Sequence, residues 1–202
     1  TGVVPPANLG TGSASSSTVL YGDGTFKSEP GGAHTLLATQ NAADDTVIEF
    51  LADIDSTYRT YLVTINNLIP ETDGTVVSVQ IYVAGAYKTD SYYNYANNVV
   101  TSGGSHEAQA NKTDDHFRLH GETVGNGTGE NFNGEIKFWT PSDTTERKFL
   151  QWNNCFMRTD GEAVQITGAG YYNNGEAAFT GLKIYMDSDN ITSGQFKLYG
   201  VV

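Results

Sequence analysis

Cysteine is almost missing from this chain. Cys155 is the only one among 202 residues, so no disulfide can form within the chain. A single cysteine with no histidine marked as its partner reads as a small core residue, not as a thiol nucleophile. Positive charge is also scarce. Eleven Lys and Arg face 23 Asp and Glu, for a formal net charge of −12. A surface this acidic repels phosphate backbones and anionic lipid, so nucleic-acid binding is not expected. No apolar run approaches the length of a membrane-spanning helix, so membrane insertion is not expected either. No window of ten residues carries a period of 3.6. The chain starts at Thr1 without a methionine or an apolar leader, which reads as a processed product or part of a longer protein.

What is present is aromatic and β-forming. Twelve Tyr, nine Phe and two Trp are enough to build a core, which disordered chains lack. Tyr61, Val63 and Ile65 alternate with Thr60, Leu62 and Thr64. Val77, Val79, Ile81 and Val83 do the same, as do Ile136 with Phe138, Leu182 with Ile184 and Met186, and Phe196 with Leu198. Period-two alternation turns one set inward and leaves the other to solvent, as in antiparallel sheets with one wet face. Asp73-Gly74, Gly103-Gly104, Asn133-Gly134, Asp160-Gly161 and Asn174-Gly175 supply turns that tolerate positive φ. The expected fold is all-β: an antiparallel β-sandwich of jelly-roll type over residues 31–202. An extended connector rich in Gly, Ser and Pro precedes it over residues 1–30, suited to anchoring or trimerisation.

Two stretches interrupt the alternation. Residues 90–107 and 121–133 are polar and read as long loops, the usual place for binding on a rigid scaffold. The first holds Asp90, Tyr92, Tyr93, Asn94 and Tyr95. A second cluster holds Tyr171, Tyr172, Asn173 and Asn174 beside a turn. Flat rings with neighbouring amides and carboxylates suit the apolar faces and hydroxyls of sugars. Packing at a strand end or a subunit interface is the more common use of such clusters.

Other candidates are weaker. His116 and His120 sit four apart in an alternating run. On a strand they lie about 13 Å apart, too far for one metal, and solvent-facing positions are expected. Asp187 and Asp189 resemble the opening of a calcium loop but lack its glycine and closing glutamate. Calcium would be compatible with them, though no cofactor is required. Acidic pairs are plentiful, yet no motif marks two carboxyls across a cleft. No β-helix repeat is visible, and residues 125–129 lack the helix that a phosphate loop needs. No enzymatic activity is expected.

The termini carry a resemblance. The stretch PPANLGTGSASSSTVLYGDGTFKS, in particular Asn8-Leu9-Gly10 and Gly22-Asp23-Gly24-Thr25, is similar to a connector of bacteriophage tail-fibre and related virion fibre proteins. The closing stretch from Asn190 to Gly200, with Ile191, Ser193, Gly194, Phe196, Leu198, Tyr199 and Gly200, resembles the end of many such proteins. Asn66-Asn67-Leu68-Ile69-Pro70 resembles an upstream piece of their heads. The resemblance implies a homotrimeric fibre head on the virion surface, joined to other virion proteins through its N-terminal segment. It implies host attachment and says little about the ligand, for which the tyrosine and amide clusters make a surface glycan the expectation. A structural role, in decorating a capsid or spacing a fibre, is the alternative. The middle of the chain carries no such likeness, so the resemblance supplies no binding residues.

Overall fold

The computed structural model describes residues 9–15, 18–28 and 33–202, and among them there is no helix. The chain divides into two units, Thr1–Ala33 and His34–Val202.

In the first unit, β1 (Thr18–Leu20) pairs antiparallel with β2 (Phe26–Ser28). The Asp23 side chain organises the turn. It accepts from the Thr25 amide at 3.0 Å and the Thr25 hydroxyl at 2.6 Å, and the Lys27 ammonium lies 2.5 Å away. Lys27 and then Thr25 hold its carboxyl below the usual range. Gly24 has φ +76°, which glycine adopts without steric cost. Gly10 packs against it so closely that a Cβ would stand 2.2 Å from the Gly24 carbonyl oxygen. The Thr11 amide donates to that oxygen at 2.8 Å, and the Phe26 amide donates to the Thr11 carbonyl at 2.8 Å. Gly10 and the Gly22–Thr25 turn are therefore complementary pieces of one small structure. Pro5, Pro6 and Asn8 lie outside the described residues, as does much of the predicted extended connector.

The second unit is an antiparallel β-sandwich. One sheet has the order β3 (His34–Asp45), β15 (Ile191–Val201), β5 (Thr60–Pro70), β11 (Phe132–Trp139), β12 (Phe149–Met157), β13 (Ala163–Tyr172), β8 (Tyr93–Thr101) and β9 (His106–Asp114). The other runs β10 (Phe117–Arg118), β6 (Val77–Val83), β14 (Phe179–Met186) and β4 (Ile48–Phe50), with β7 (Ala86–Tyr87) paired to β6. The first strand of the unit lies beside the last, and β4 lies beside β14. Successive strands cross between the sheets, giving β3-β15-β5-β11 against β4-β14-β6-β10. That is the jelly-roll arrangement. Two additional hairpins, β12-β13 and β8-β9, widen one sheet to eight strands.

The predicted alternation is realised. Tyr61, Val63, Ile65, Ile136, Phe138, Leu182, Ile184, Phe196 and Leu198 are at most 1% exposed and form one core. The widened eight-stranded sheet needs more cover than the five-stranded sheet provides. Residues 115–124 supply it. Phe117 packs on Tyr93 at 4.7 Å and on Trp152 at 5.9 Å between ring centroids, and Leu119 and Val124 are buried beside them. Apart from the two residues of β10 this segment is irregular, so its backbone groups need partners away from water. Asn97 Nδ2 donates to the Arg118 carbonyl at 3.2 Å and Asn154 Nδ2 to the Leu119 carbonyl at 3.0 Å. The Trp152 indole donates to Asn97 Oδ1 at 2.7 Å.

Several expectations are corrected here. Residues 90–107 are not a loop, since most of them form β8 and the start of β9. Their inward set is Tyr93, Tyr95, Asn97, Val99 and Thr101, too polar to announce a strand. His116 and His120 are buried, not solvent-facing. His120 Nε2 accepts the Val77 amide at 2.8 Å, and its Nδ1 donates to the Glu122 carbonyl. Burial lowers its pKa to about 4, so the ring is held neutral. Cys155 is exposed, because β12 turns Asn154 and Phe156 inward on either side of it. Ser193 and Gly194 form no turn. They sit at irregularities within the continuous strand β15. Ser78 and Gln80 point away from the core yet are buried, with Ser78 bonded to Asp187 and Gln80 to the Asp115 carbonyl.

Candidate ligand-binding face

The two predicted tyrosine clusters are one. β8 pairs with β13 so that Tyr93 faces Tyr172 and Asn94 faces Tyr171. The Tyr172 hydroxyl donates to Asp90 Oδ1 at 2.6 Å, and Asn174 Nδ2 reaches Asp90 Oδ2 at 3.4 Å. Burial first, then that bond to Asp90, raises the Tyr172 pKa to about 12.

Most of these rings are not free to meet a ligand. Tyr93 is fully buried; its hydroxyl donates to the Lys88 carbonyl at 3.0 Å and accepts the Ile81 amide at 3.1 Å. Tyr95 is buried and donates to Asp114 Oδ2 at 2.8 Å. Burial pushes both phenols well above the ordinary range. Tyr172 is also buried. Tyr92 is 44% exposed, with its ring 6.3 Å from Tyr172. Asn94 is half-buried and donates to the Tyr92 carbonyl at 3.1 Å. Tyr171 lies on the outer side of β13 against Phe149, 5.4 Å between centroids, with the Arg147 guanidinium 5.4 Å above it. Alternation therefore sorts the predicted residues: Tyr93, Tyr95 and Tyr172 build the sandwich, while Tyr92, Asn94 and Tyr171 border solvent.

The outer face of the eight-stranded sheet is exposed. Asn66, Glu135, Asn153, Cys155 and Gln165 are exposed there, with Thr64 and Asn133 half-buried. Their cross-strand register puts Glu135 beside Asn153 and Cys155 beside Gln165. These strands line a shallow depression of about 550 Å³. Gln165 Nε2 reaches Asn153 Oδ1 at 3.3 Å and Asn66 Nδ2 reaches Thr64 Oγ1 at 3.5 Å, long bonds that leave hydrogen-bonding capacity on every partner. A second depression of about 320 Å³ involves Asn98, Gln151 and Thr167. A third, of about 300 Å³, is bordered by Asn94, Phe149 and Tyr171. Ala96 and Ala169 line both the second and the third, and such small side chains keep the surface shallow. Sequence reasoning passed over this face. The only available signal was that the outward halves of β5, β8 and β13 are rich in Asn, Gln, Thr and Ala.

A charge cluster lies at the edge of the smaller sheet. His116 Nδ1 is 2.5 Å from Asp115 Oδ1 and 3.7 Å from Asp114 Oδ1, and His116 Nε2 is 3.7 Å from Asp187 Oδ1. Arg118 lies 3.4 Å from Asp187 and 3.7 Å from Asp114. Burial acts to raise the Asp114 pKa, but the Tyr95 hydroxyl, His116 and Arg118 outweigh it and leave the carboxyl below its usual range. Asp187 and Asp189, predicted as the start of one calcium loop, engage different partners. Asp187 meets Ser78, His116 and Arg118, whereas Asp189 meets Thr72.

No helix among the described residues is long and apolar enough to cross a membrane. The chain matches no protein-family model, no curated protein and no solved structure.

Proposed function

We propose that this chain is the head of a bacteriophage fibre that attaches the particle to saccharide on a host cell, without covalent chemistry. The single observation that carries the proposal is the broad amide- and alanine-lined outer face of the eight-stranded sheet. Amide side chains offer donors and acceptors to hydroxyls, and a shallow sheet face admits an extended chain of rings. The Phe149–Tyr171 pair stands at one end of the face, where a ring can stack on the apolar side of a sugar. The −12 net charge favours a neutral saccharide over an acidic one. The terminal motifs support the origin. Gly10, Asp23 and Gly24, which carry the resemblance to fibre connectors, are the residues whose geometry the turn requires. Trimerisation through the N-terminal segment would present three such faces together and raise avidity above single-site affinity.

One observation favours the structural alternative. Phe149 is 51% exposed beside Tyr171, and an exposed aromatic pair also suits a subunit interface. The deciding experiment is binding of the full chain to bacterial cells, with its mass in solution measured by sedimentation. A trimer that binds cells and is displaced by soluble surface saccharide is the expected outcome. A folded trimer that binds no cells of any tested host would favour the structural role.

A further inference from the structure

We propose that His116 and Asp187 together bind one divalent transition-metal ion of the zinc class. The reasoning starts from the proton on the ring. Nδ1 lies 2.5 Å from Asp115 Oδ1, and a carboxylate accepts hydrogen bonds, so Nδ1 is the donor. The other nitrogen, Nε2, is buried without a hydrogen-bond partner in a side chain that is 10% exposed. It faces Asp187 Oδ1 at 3.7 Å. With Nε2 unprotonated, a lone pair here confronts a carboxylate, two acceptors with nothing positive between them. A second ring proton or a metal ion resolves that conflict, and the 3.7 Å separation is longer than a hydrogen bond. Two ligands of one tetrahedral zinc ion, each bonded at about 2.0–2.1 Å, stand roughly 3.4 Å apart, close to the separation observed.

The surroundings match the role. A carboxylate on the far nitrogen of a metal-bound histidine sets the tautomer and the ring orientation, and Asp115 occupies that position. Asp187 is itself oriented by the Ser78 hydroxyl and by Arg118, 3.4 Å from Oδ2. Asp114 and Asp115 lie on the Nδ1 side of the ring, at 3.7 and 2.5 Å, and add negative charge near the site without being its ligands. Three carboxylates against the one guanidinium of Arg118 leave a local charge of −2, which a divalent ion cancels. The nitrogen donor selects zinc, nickel or copper over calcium and magnesium, which prefer oxygen alone. Asp187 is 25% exposed, so ions have an entry path and water completes the coordination. The site joins the approach to β10 to the end of β14, and it is independent of the glycan-binding proposal.

The test uses the full chain, stripped with chelator and dialysed, then titrated with zinc chloride and separately with calcium chloride by calorimetry. One zinc per chain with no calcium signal is expected. Zinc at about a hundredfold excess over Kd should raise Tm by several degrees. His116→Gln and Asp187→Asn should each weaken zinc binding at least tenfold, with the metal-free Tm measured first to establish folding. Asp115→Asn should weaken it about 10-fold or more, because Asp115 holds the proton on Nδ1 and orients the ring. Absence of saturable zinc binding would overturn the proposal. So would equal binding by both ligand variants, which would assign the zinc to other side chains. Nitrogen NMR showing a proton on His116 Nε2 that zinc does not displace would assign the bridge to that proton.

Discussion

The two faces of the eight-stranded sheet are made by the same strands, one residue out of phase, and they differ in almost every respect. On the inner side Val63, Ile136, Trp152 and Ile166 are at most 1% exposed. On the outer side Glu135, Asn153, Gln165 and Thr167 stand in solvent. The inner face has one set of partners and no spare hydrogen-bonding capacity at Trp152, whose indole is held by Asn97. The outer face has short, loosely bonded amides and few charges. A one-residue register shift would exchange the two. If the outer face recognises a ligand as proposed, stability and recognition are separated within each strand, so substitutions on one face should leave the other property intact.

The largest effect should come from breaking the inner face. Trp152→Ala removes a buried indole and strands Asn97, and should cost about 3–5 kcal/mol in chemical denaturation. Asn153→Ala, its outward neighbour, should change stability by less than about 0.5 kcal/mol. Comparable losses from the two would contradict the division between faces.

Next in size is the pH dependence set by His120. Its pKa falls from 6.5 in the unfolded chain to about 4 in the fold. The unfolded state therefore binds the extra proton between those values. The neutral ring's stabilisation is complete above about pH 6.5 and is lost as pH falls toward 4, by about 3 kcal/mol in all. Denaturation at pH 7 and pH 4.5 measures this, and His120→Gln should flatten the slope by about one proton. An unchanged slope in a folded variant would remove His120 as its source.

A smaller contrast separates two adjacent tyrosines. Tyr93→Phe deletes a buried hydroxyl with two backbone partners and should cost about 1–3 kcal/mol by leaving them unpaired. Tyr92→Phe, on the exposed ring, should be nearly neutral to thermal melting. Equal effects would mean that burial does not sort this cluster.

The sandwich was legible because strands such as β5, β11 and β14 alternate cleanly between apolar and polar residues. The jelly-roll core was legible for the same reason. β8 was not, because four of its five inward positions are Tyr, Asn or Thr; Tyr93 bonds to Lys88 and Ile81, Tyr95 to Asp114, and Asn97 to Arg118 in the segment over them. That same segment explains His120, whose burial depends on a backbone amide 43 residues away at Val77. The proposed binding face was hidden because its residues are scattered over β5, β11, β12, β13 and β8, and only pairing brings them together. A cluster search along the chain selects contiguous tyrosines, and alternation then buries half of them.

The most direct measurement is an array of bacterial surface saccharides probed with the full chain and with Asn153→Ala/Gln165→Ala. The native chain should bind neutral saccharides, and the double variant should lose at least tenfold in affinity at an unchanged melting temperature. Undiminished binding by the double variant would contradict a recognition role for the outer face of the eight-stranded sheet.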